Sequence, residues 1–490
     1  MNAPPRAAIG RREAGAGHRH APRDDRLTDV ARLKATVLAG GYCIGCGSCA
    51  AIPDSPIRMR MDAPGRLQAT VDDTEAALSD AIVTPLCPFS DAAADEDEIA
   101  GGVFASPQAR LDGRIGWFRE VWAGHVAEGD FRVRGSSGGM GNWLAAELLG
   151  RGMVDAVLHV RPDGDGRLFS FAASRSLDEL RQGAKSRYYP IEMSGMLRHM
   201  REMPGRYALI GVPCFIKAAR LQARRDPVIA ERLRATIALV CGHLKSAHFA
   251  AMFAWQLGIR PDRIATVDFR VKNEHGRANQ YSVRASGEDA RGAVVTRTRQ
   301  NKDFFGYLWS HGFFKYRACD YCDDVMGETA DVTVGDAWLP GFVDDPRGTN
   351  VIVARSAGME EIIRRGIAEG RLALRPISAD DAAKSQDAGL RHRRLGLAVR
   401  LARALRRGRW VPPKRVAPGS GGLGRRQRWV YLVREMMSER SHRAFQQALA
   451  RNDPRLFARI MTRYIVLHDW LNRNRGIAAS LKRLLRGIHA

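Results

Sequence analysis

The sequence predicts an α/β protein with a cysteine-rich N-terminal segment, a mostly parallel sheet in the middle and a basic helical extension at the C-terminus. Three observations carry that prediction. Residues 115 to 385 alternate short apolar runs (MVDAVLHV, YALIGV, TIALV, ADVTVGD) with helical stretches such as NWLAAELL and FIKAARLQARR, which is how the strands and crossover helices of a parallel sheet read. Four of the eight cysteines precede residue 90, three of them inside GYCIGCGSCA. From Arg391 to Ala490 there are 25 Lys and Arg against four acids (Glu435, Glu439, Asp453, Asp469), so this stretch carries +21 of the formal +24. The other 390 residues are nearly balanced, which leaves the body without overall polyanion-binding character.

Taken in order, residues 1 to 30 lack periodicity. MNAPPRAAIGRREAGAGHRHAPRDDR is rich in Arg, Ala, Gly and Pro but has no apolar core of the kind a secretory signal needs, so a disordered leader on a cytoplasmic protein is expected, with an organellar address as the alternative. Residues 31 to 110 form the cysteine segment and 111 to 385 the α/β domain. Residues 386 to 490 form the basic extension, with GRWVPPKRVAPGSGGLGRRQR as a linker before two or three basic helices. At 490 residues, 45% hydrophobic and 27% charged, the chain is of globular composition, too long for a disulfide-stapled miniprotein and without an apolar run that would span a bilayer. No fixed-period repeat is present, which argues against a solenoid.

Cys43, Cys46 and Cys49 are spaced so that one short turn wraps three thiolates around a cluster face, and the small Gly45, Gly47 and Ser48 let backbone amides approach the sulfurs. The Cys-Pro pair of ferredoxin-like runs is supplied by Cys87 and Pro88. Iron-sulfur ligation is favoured over zinc, which usually takes paired Cys-x2-Cys knuckles, and over a disulfide.

Cys214 follows the strand YALIGV at the start of a helix, whose dipole favours a thiolate, and Cys241 follows TIALV. Both stand at carboxyl ends of strands, where open α/β sheets place ligands. Cys319 and Cys322 form a knuckle before ADVTVGD, which makes four thiols available for a second cluster. Burial of Cys214 and Cys241 as small hydrophobes explains their positions equally well. In RVRGSSGGMGNWLAAELL, Ser136, Ser137, Gly138 and Gly139 directly precede a helix, a place for phosphate or for a plain N-cap; neither the Rossmann nor the Walker pattern is matched.

GYCIGCGSC, LCP, RGSSGGM, GAKSRYY, GVPCFIKAARL, CGHLKSAHF and above all CDYCDDVMGETADVTVGDAW together resemble the coenzyme F-420 hydrogenase/dehydrogenase beta-subunit family, over about Leu38 to Arg355. The resemblance implies an iron-sulfur flavoprotein oxidoreductase with two 4Fe-4S clusters and FAD. It implies that Cys43, Cys46, Cys49 and Cys87 ligate iron and that Cys214, Cys241, Cys319 and Cys322 form the second set, the assignment of each Cys to a cluster staying open. It further implies that the Ser136 to Gly139 loop, Lys185 in GAKSRYY, and Asp336 and Trp338 in the Gly335 to Trp338 stretch lie on the flavin side of an α/β flavin domain. A turn-capping Asp336 and a core Trp338 are the structural alternatives.

The chemistry expected is a relay from a one-electron carrier such as ferredoxin, through the clusters and flavin, to a hydride acceptor. A deazaflavin, a pigment double bond and a sugar-linked substrate are the acceptor classes. His243, with Lys245 nearby, is the candidate proton donor, against a reading as a buried or supporting histidine. The basic tail suits docking of an acidic ferredoxin; ordinary Arg-rich surface helices and interfacial membrane contact, suggested by WVYLVREMM and LFARIMTRYIVLHDWL, are the other readings. A nucleic-acid-binding protein with structural metal is the remote alternative.

Overall fold

In a computed structural model, residues 27–164 and 166–472 are described. The expected leader, apart from its last few residues, and the final basic stretch lie outside them. Helical turns over Asp29–Leu33 and Lys34–Leu38 lead into the first cysteine loop. Two small hairpins follow, β1 (Arg58–Met61) with β2 (Leu67–Thr70), and β3 (Arg110–Asp112) with β4 (Gly116–Phe118).

The body is an eight-stranded sheet. Its strands are β5 (Glu120–Val126), β6 (Ala156–Pro162), β7 (Phe169–Ser174), β8 (Tyr207–Gly211) and β9 (Leu233–Leu239), then, after a separate antiparallel sheet of β10 (Ile259–Val271), β11 (Ser282–Asp289) and β12 (Val294–Gln300), β13 (Val332–Asp336), β14 (Asn350–Ala354) and β15 (Leu372–Pro376). The order is β15-β5-β14-β13-β9-β8-β6-β7. Its centre, β13-β9-β8-β6, is parallel as the sequence predicts, while antiparallel strands close both edges.

Along β8, Ala208 and Ile210 face one layer, and Tyr207 and Leu209 the other, the alternation every strand imposes. The first layer is covered by the helices Met140–Gly150 and Ala357–Ala368, with Trp143, Leu144, Ile362 and Ile363 buried. The second is covered by the helix Pro213–Ala223 and by the cysteine segment, whose Val37, Tyr42, Ile44 and Cys49 share one core with Leu209, Phe215 and Ala238.

The three-stranded sheet of β10–β12 departs from the expected α/β alternation. Its strands are polar and largely exposed along β12, and Ile259, Val267, Phe269, Val283 and Ala285 reach a core, where they join Phe249, Phe313 and Phe314. The C-terminal helices Arg425–Ala450 and Pro454–Asn472 insert Met437, Phe445 and Phe457 into the same core, so the extension is part of the body. The stretch read as a linker has no regular structure over 409–424, yet the Trp410 ring meets Tyr42 at a tilt at 5.6 Å and the Trp410 carbonyl accepts a hydrogen bond from the Tyr42 hydroxyl at 3.1 Å. Among the described residues no helix is long and apolar enough to cross a membrane.

Candidate functional site: two four-cysteine centres and a cationic crevice

The first loop is shaped by glycines. Gly45 and Gly47 have φ of +70° and +80°, and a Cβ on Gly47 would lie 2.4 Å from Glu192 Oε2 and 2.9 Å from the Ser194 amide, so only glycine fits. The loop is held from below: Met193 N donates to Cys46 O at 2.9 Å, and Gln222 donates to Ser48 O at 2.8 Å. Cys43, Cys46, Cys49 and Cys87 line one cavity with Leu33, Val37, Ile44, Met59 and Ala69. The amides of Gly45 and Ala69 both donate to Cys43 Sγ at 3.4 Å. Burial pushes the Cys87 thiol up to about 12. Burial and the neighbouring thiols push Cys46 and Cys49 up well above the usual range. Such thiols ionise only against a compensating cation or metal.

The second set assembles from three chain regions. Cys214 is the second residue of the helix after β8, Cys241 follows β9, and Cys319 and Cys322 lie in and just after the 3-10 turn Arg317–Tyr321 before β13. Cys214 is within electrostatic reach of Cys241, Cys322, Cys319 and also Cys46, so the two sets are neighbours. The helix start does not lower Cys214: burial holds it well above the usual range. Burial likewise pushes Cys241 to about 11 and Cys319 to about 12, with the Leu244 amide donating to Cys319 Sγ at 3.2 Å. All eight thiols are free. Tyr42, beside Cys43, meets Tyr321, between Cys319 and Cys322, edge-on at 4.9 Å.

Sequence reasoning missed Arg393, the last residue of the helix Asp387–Arg393. Its guanidinium is buried and donates to the carbonyls of Cys241 at 3.1 Å, Gly242 at 2.8 Å and Asp324 at 3.0 Å, with Nη2 3.7 Å from Cys241 Sγ. Nothing in RHRRLG distinguishes this arginine from its neighbours. Four further basic residues, Arg394, Arg400, Lys414 and Arg415, are buried as well. They face the acids of the CDYCDDVMGE motif: Arg415 forks onto Glu328 at 2.8 and 3.0 Å and reaches Asp323 at 3.4 Å, Lys414 lies 3.8 Å from Asp323, and Arg400 lies 3.8 Å from Asp320. These five lie buried, so they offer no surface charge to a docking partner.

The crevice lies at the Ser136–Gly139 loop. Gly139, with φ of +90°, caps the helix Met140–Gly150, and a Cβ on Gly138 would meet Asn350 Oδ1 at 2.7 Å. Both serines tie the loop down: Ser137 donates to Thr349 O at 2.8 Å, and Ser136 accepts from the Ser186 amide at 2.9 Å. Cations crowd beside it. Lys272 donates to Ser137 O at 2.8 Å and to Arg132 O, and burial, then Lys185, Arg132 and Arg270, push its ammonium down to about 7. Lys185 lies 3.4 Å from Asp268. Arg270 forks onto Asp336 at 2.7 and 3.0 Å, so Asp336 is the partner of a buried arginine, and Arg270 Nε has no acceptor. Arg270 and Lys272 were also missed; the alternation of DFRVK, which puts Asp268, Arg270 and Lys272 on one face, was the available signal. Trp338 lines an open groove of about 550 Å³ with Arg277, Asn279 and Leu339, and is not a core residue.

His243 stacks on Trp309 at 4.3 Å. Burial and then Lys245 hold its imidazole neutral, well below the ordinary range, and its Nε2 has no partner. Lys245 donates to Phe313 O at 2.7 Å and sits over the rings of Phe249 and Trp309. Trp309 also meets Tyr188 at 4.9 Å, and Tyr188 feels the charge of Arg270, so packed residues connect the second cysteine set to the crevice. Among the described residues the one cluster of His, Cys, Asp or Glu with ligand atoms all within 4.8 Å is His311, His468 and Asp469. There Arg434 donates to His468 Nε2 at 3.1 Å, which places a guanidinium on the imidazole edge an ion would use.

Fold and site together define an α/β protein with two adjacent four-cysteine centres and a cationic crevice. Two family models of the coenzyme F420 hydrogenase/dehydrogenase beta subunit match the chain, the one for its N-terminal part over residues 121–198 and the one for its C-terminal part over residues 205–380. Together these span just over half of the chain, which belongs to the coenzyme F420 hydrogenase/dehydrogenase beta-subunit family, a family of oxidoreductases. The second cysteine set lies inside the matched region; the first set and the basic extension lie outside it. A chain from the F420-reducing NiFe hydrogenase complex of Methanosarcina barkeri, studied as a xenon derivative, is 15% identical with a TM-score of 0.46, covering 62% of this chain and 98% of that one. None of the curated proteins compared matches.

Proposed function

We propose that this oxidoreductase is an iron-sulfur flavoprotein in which two 4Fe-4S clusters, on Cys43, Cys46, Cys49 and Cys87 and on Cys214, Cys241, Cys319 and Cys322, connect a ferredoxin-type donor to FAD in the crevice and to a deazaflavin acceptor of the coenzyme F420 kind. The observation that carries the reading is the pairing of two four-thiol centres, Cys46 within electrostatic reach of Cys214, beside a crevice where Lys185, Arg270 and Lys272 crowd the Ser136–Gly139 loop. The donor sets fit these groups. The thiols are spread beyond 4.8 Å for any three, wider than four sulfurs on one zinc at about 2.3 Å, and amides already donate to Cys43 and Cys319 sulfurs, as cluster-binding loops require. Lys272, Lys185 and the Arg270 Nε offer a dinucleotide's phosphates the anion-binding charge they need.

When bound, clusters and flavin would supply one-electron carriage and its conversion to hydride transfer. The chain's own residues do the rest. The shared apolar core keeps water from the thiols, Arg393 places positive charge at the second set, and Asp336 orients Arg270 toward the crevice. Trp338 offers a ring face to a bound aromatic group. His243, held neutral, is suited to donating a hydrogen bond and not to acting as a cationic acid. Anaerobic mixing of the reconstituted chain with reduced ferredoxin and coenzyme F420 is expected to bleach the deazaflavin absorbance, with loss of the reaction in C214S; bleaching at the uncatalysed rate would overturn the reading.

A further inference from the structure

The helix Asp387–Arg393 begins after the last residue of the family match, at 380, yet its final residue is the cation nearest the second cysteine set. Arg393 is 2% exposed, donates through Nη1 and Nη2 to three backbone carbonyls around Cys241 and comes within 3.7 Å of the Cys241 sulfur. A buried charge in this position has no solvent to screen it. Among the described residues the first set has no counterpart so close: Cys43 takes its hydrogen bonds from backbone amides, Arg66, which acts on it, is paired with Asp62 at 2.8 Å, and Lys217, the cation that acts on Cys87, is paired with Glu96 at 3.1 Å. The two centres are therefore electrostatically unequal, and the inequality is built by the extension.

We propose that Arg393 sets the reduction potential of the second centre, raising it relative to the first so that electrons arriving at the Cys43 loop move inward toward the crevice. The inference rests on the two-cluster reading above. A positive charge next to a cluster favours the more negative, reduced state, and hydrogen bonding and net charge are recognised determinants of cluster potential. Arg393 reaches no substrate; it acts through the cluster, and a charge-preserving substitution should keep most of the effect.

The test is a potentiometric titration of the anaerobically reconstituted full chain, followed by EPR, for wild type, R393Q and R393K, with iron and sulfide measured on each sample. The expected result is wild-type iron in R393Q and one of two clusters about tenfold harder to reduce, a shift of about 59 mV for a one-electron couple. R393K should lie within about threefold of wild type, and the other cluster should not move. Unchanged potentials in a fully loaded R393Q overturn the inference while leaving the two-cluster reading intact. Wild-type protein with a single cluster removes that reading, and the inference with it. If R393Q sheds iron, R393K decides: full iron with near wild-type potential supports the charge effect, whereas iron loss in R393K as well assigns Arg393 to folding alone and refutes the proposal.

Discussion

Replacing Arg415 by Met tests whether the extension's buried cations balance the acids of the CDYCDDVMGE motif. Arg415 contacts Glu328 through both terminal nitrogens at 2.8 and 3.0 Å, Asp323 at 3.4 Å and Asp97 at 2.9 Å, and the side chains of Arg415, Glu328 and Asp323 are 7%, 2% and 1% exposed. Removing one partner of a buried pair leaves uncompensated charge and costs about 3–5 kcal/mol, a large part of the roughly 5–15 kcal/mol that holds a typical domain folded. R415M should therefore lose about 4 kcal/mol, read as a lowered urea midpoint at unchanged slope. The double variant R415M/E328Q removes both charges of the closest pair and should regain about half of the loss or more, since such pairs are strongly non-additive. An R415M midpoint within about 1 kcal/mol of wild type, or strict additivity in the double variant, would refute the reasoning.

Gly47→Ala forces a side chain into the left-handed region, at about 1–2 kcal/mol, and against the Ser194 amide; bound iron should fall toward half of wild type by colorimetric assay, with the second centre's EPR signal retained. Lys272→Met removes the crevice cation that is held nearest neutrality and bonded to Ser137 O, and should weaken flavin retention by about tenfold, measured by fluorescence of released flavin on dialysis; unchanged retention would place the phosphates elsewhere. His159 is buried against Ser174 at 2.7 Å, with its imidazole pushed down to about 4 by burial and then Arg161. Because the unfolded chain takes up that proton near pH 6.5 and the folded one only near 4, stability is complete above the first value and is lost as pH falls through the second, up to about 3 kcal/mol. H159Q should flatten that acid limb of the urea-midpoint profile.

Much of the centre was legible because its signals are local. The Cys-x2-Cys-x2-Cys spacing, the Cys-Pro pair and the apolar runs of β8 and β9 each state their structure within a few residues, and YALIG indeed becomes a strand buried along its length. The edges of the sheet were not legible, since β5, β14 and β15 pair antiparallel across more than 200 residues of chain and no local pattern encodes such partners. Nor was the sheet of β10–β12, whose strands alternate charges over a thin apolar face. Arg393, Arg270 and Lys272 escaped for a different reason. Their roles come from burial beside sulfurs or beside one another, and an arginine in a basic run carries the same letter whether it meets water or a cysteine. The +21 of the extension read as surface charge, although Arg393 and Arg400 are among the most buried charged groups of the described residues.

The central claim is two clusters and one flavin on a single chain, and it is tested most directly by the content of iron, acid-labile sulfide, zinc and flavin per chain in anaerobically purified protein, taken with its visible spectrum. The account predicts about eight irons, a matching amount of sulfide and one flavin. Zinc at the cysteines with no flavin would contradict it.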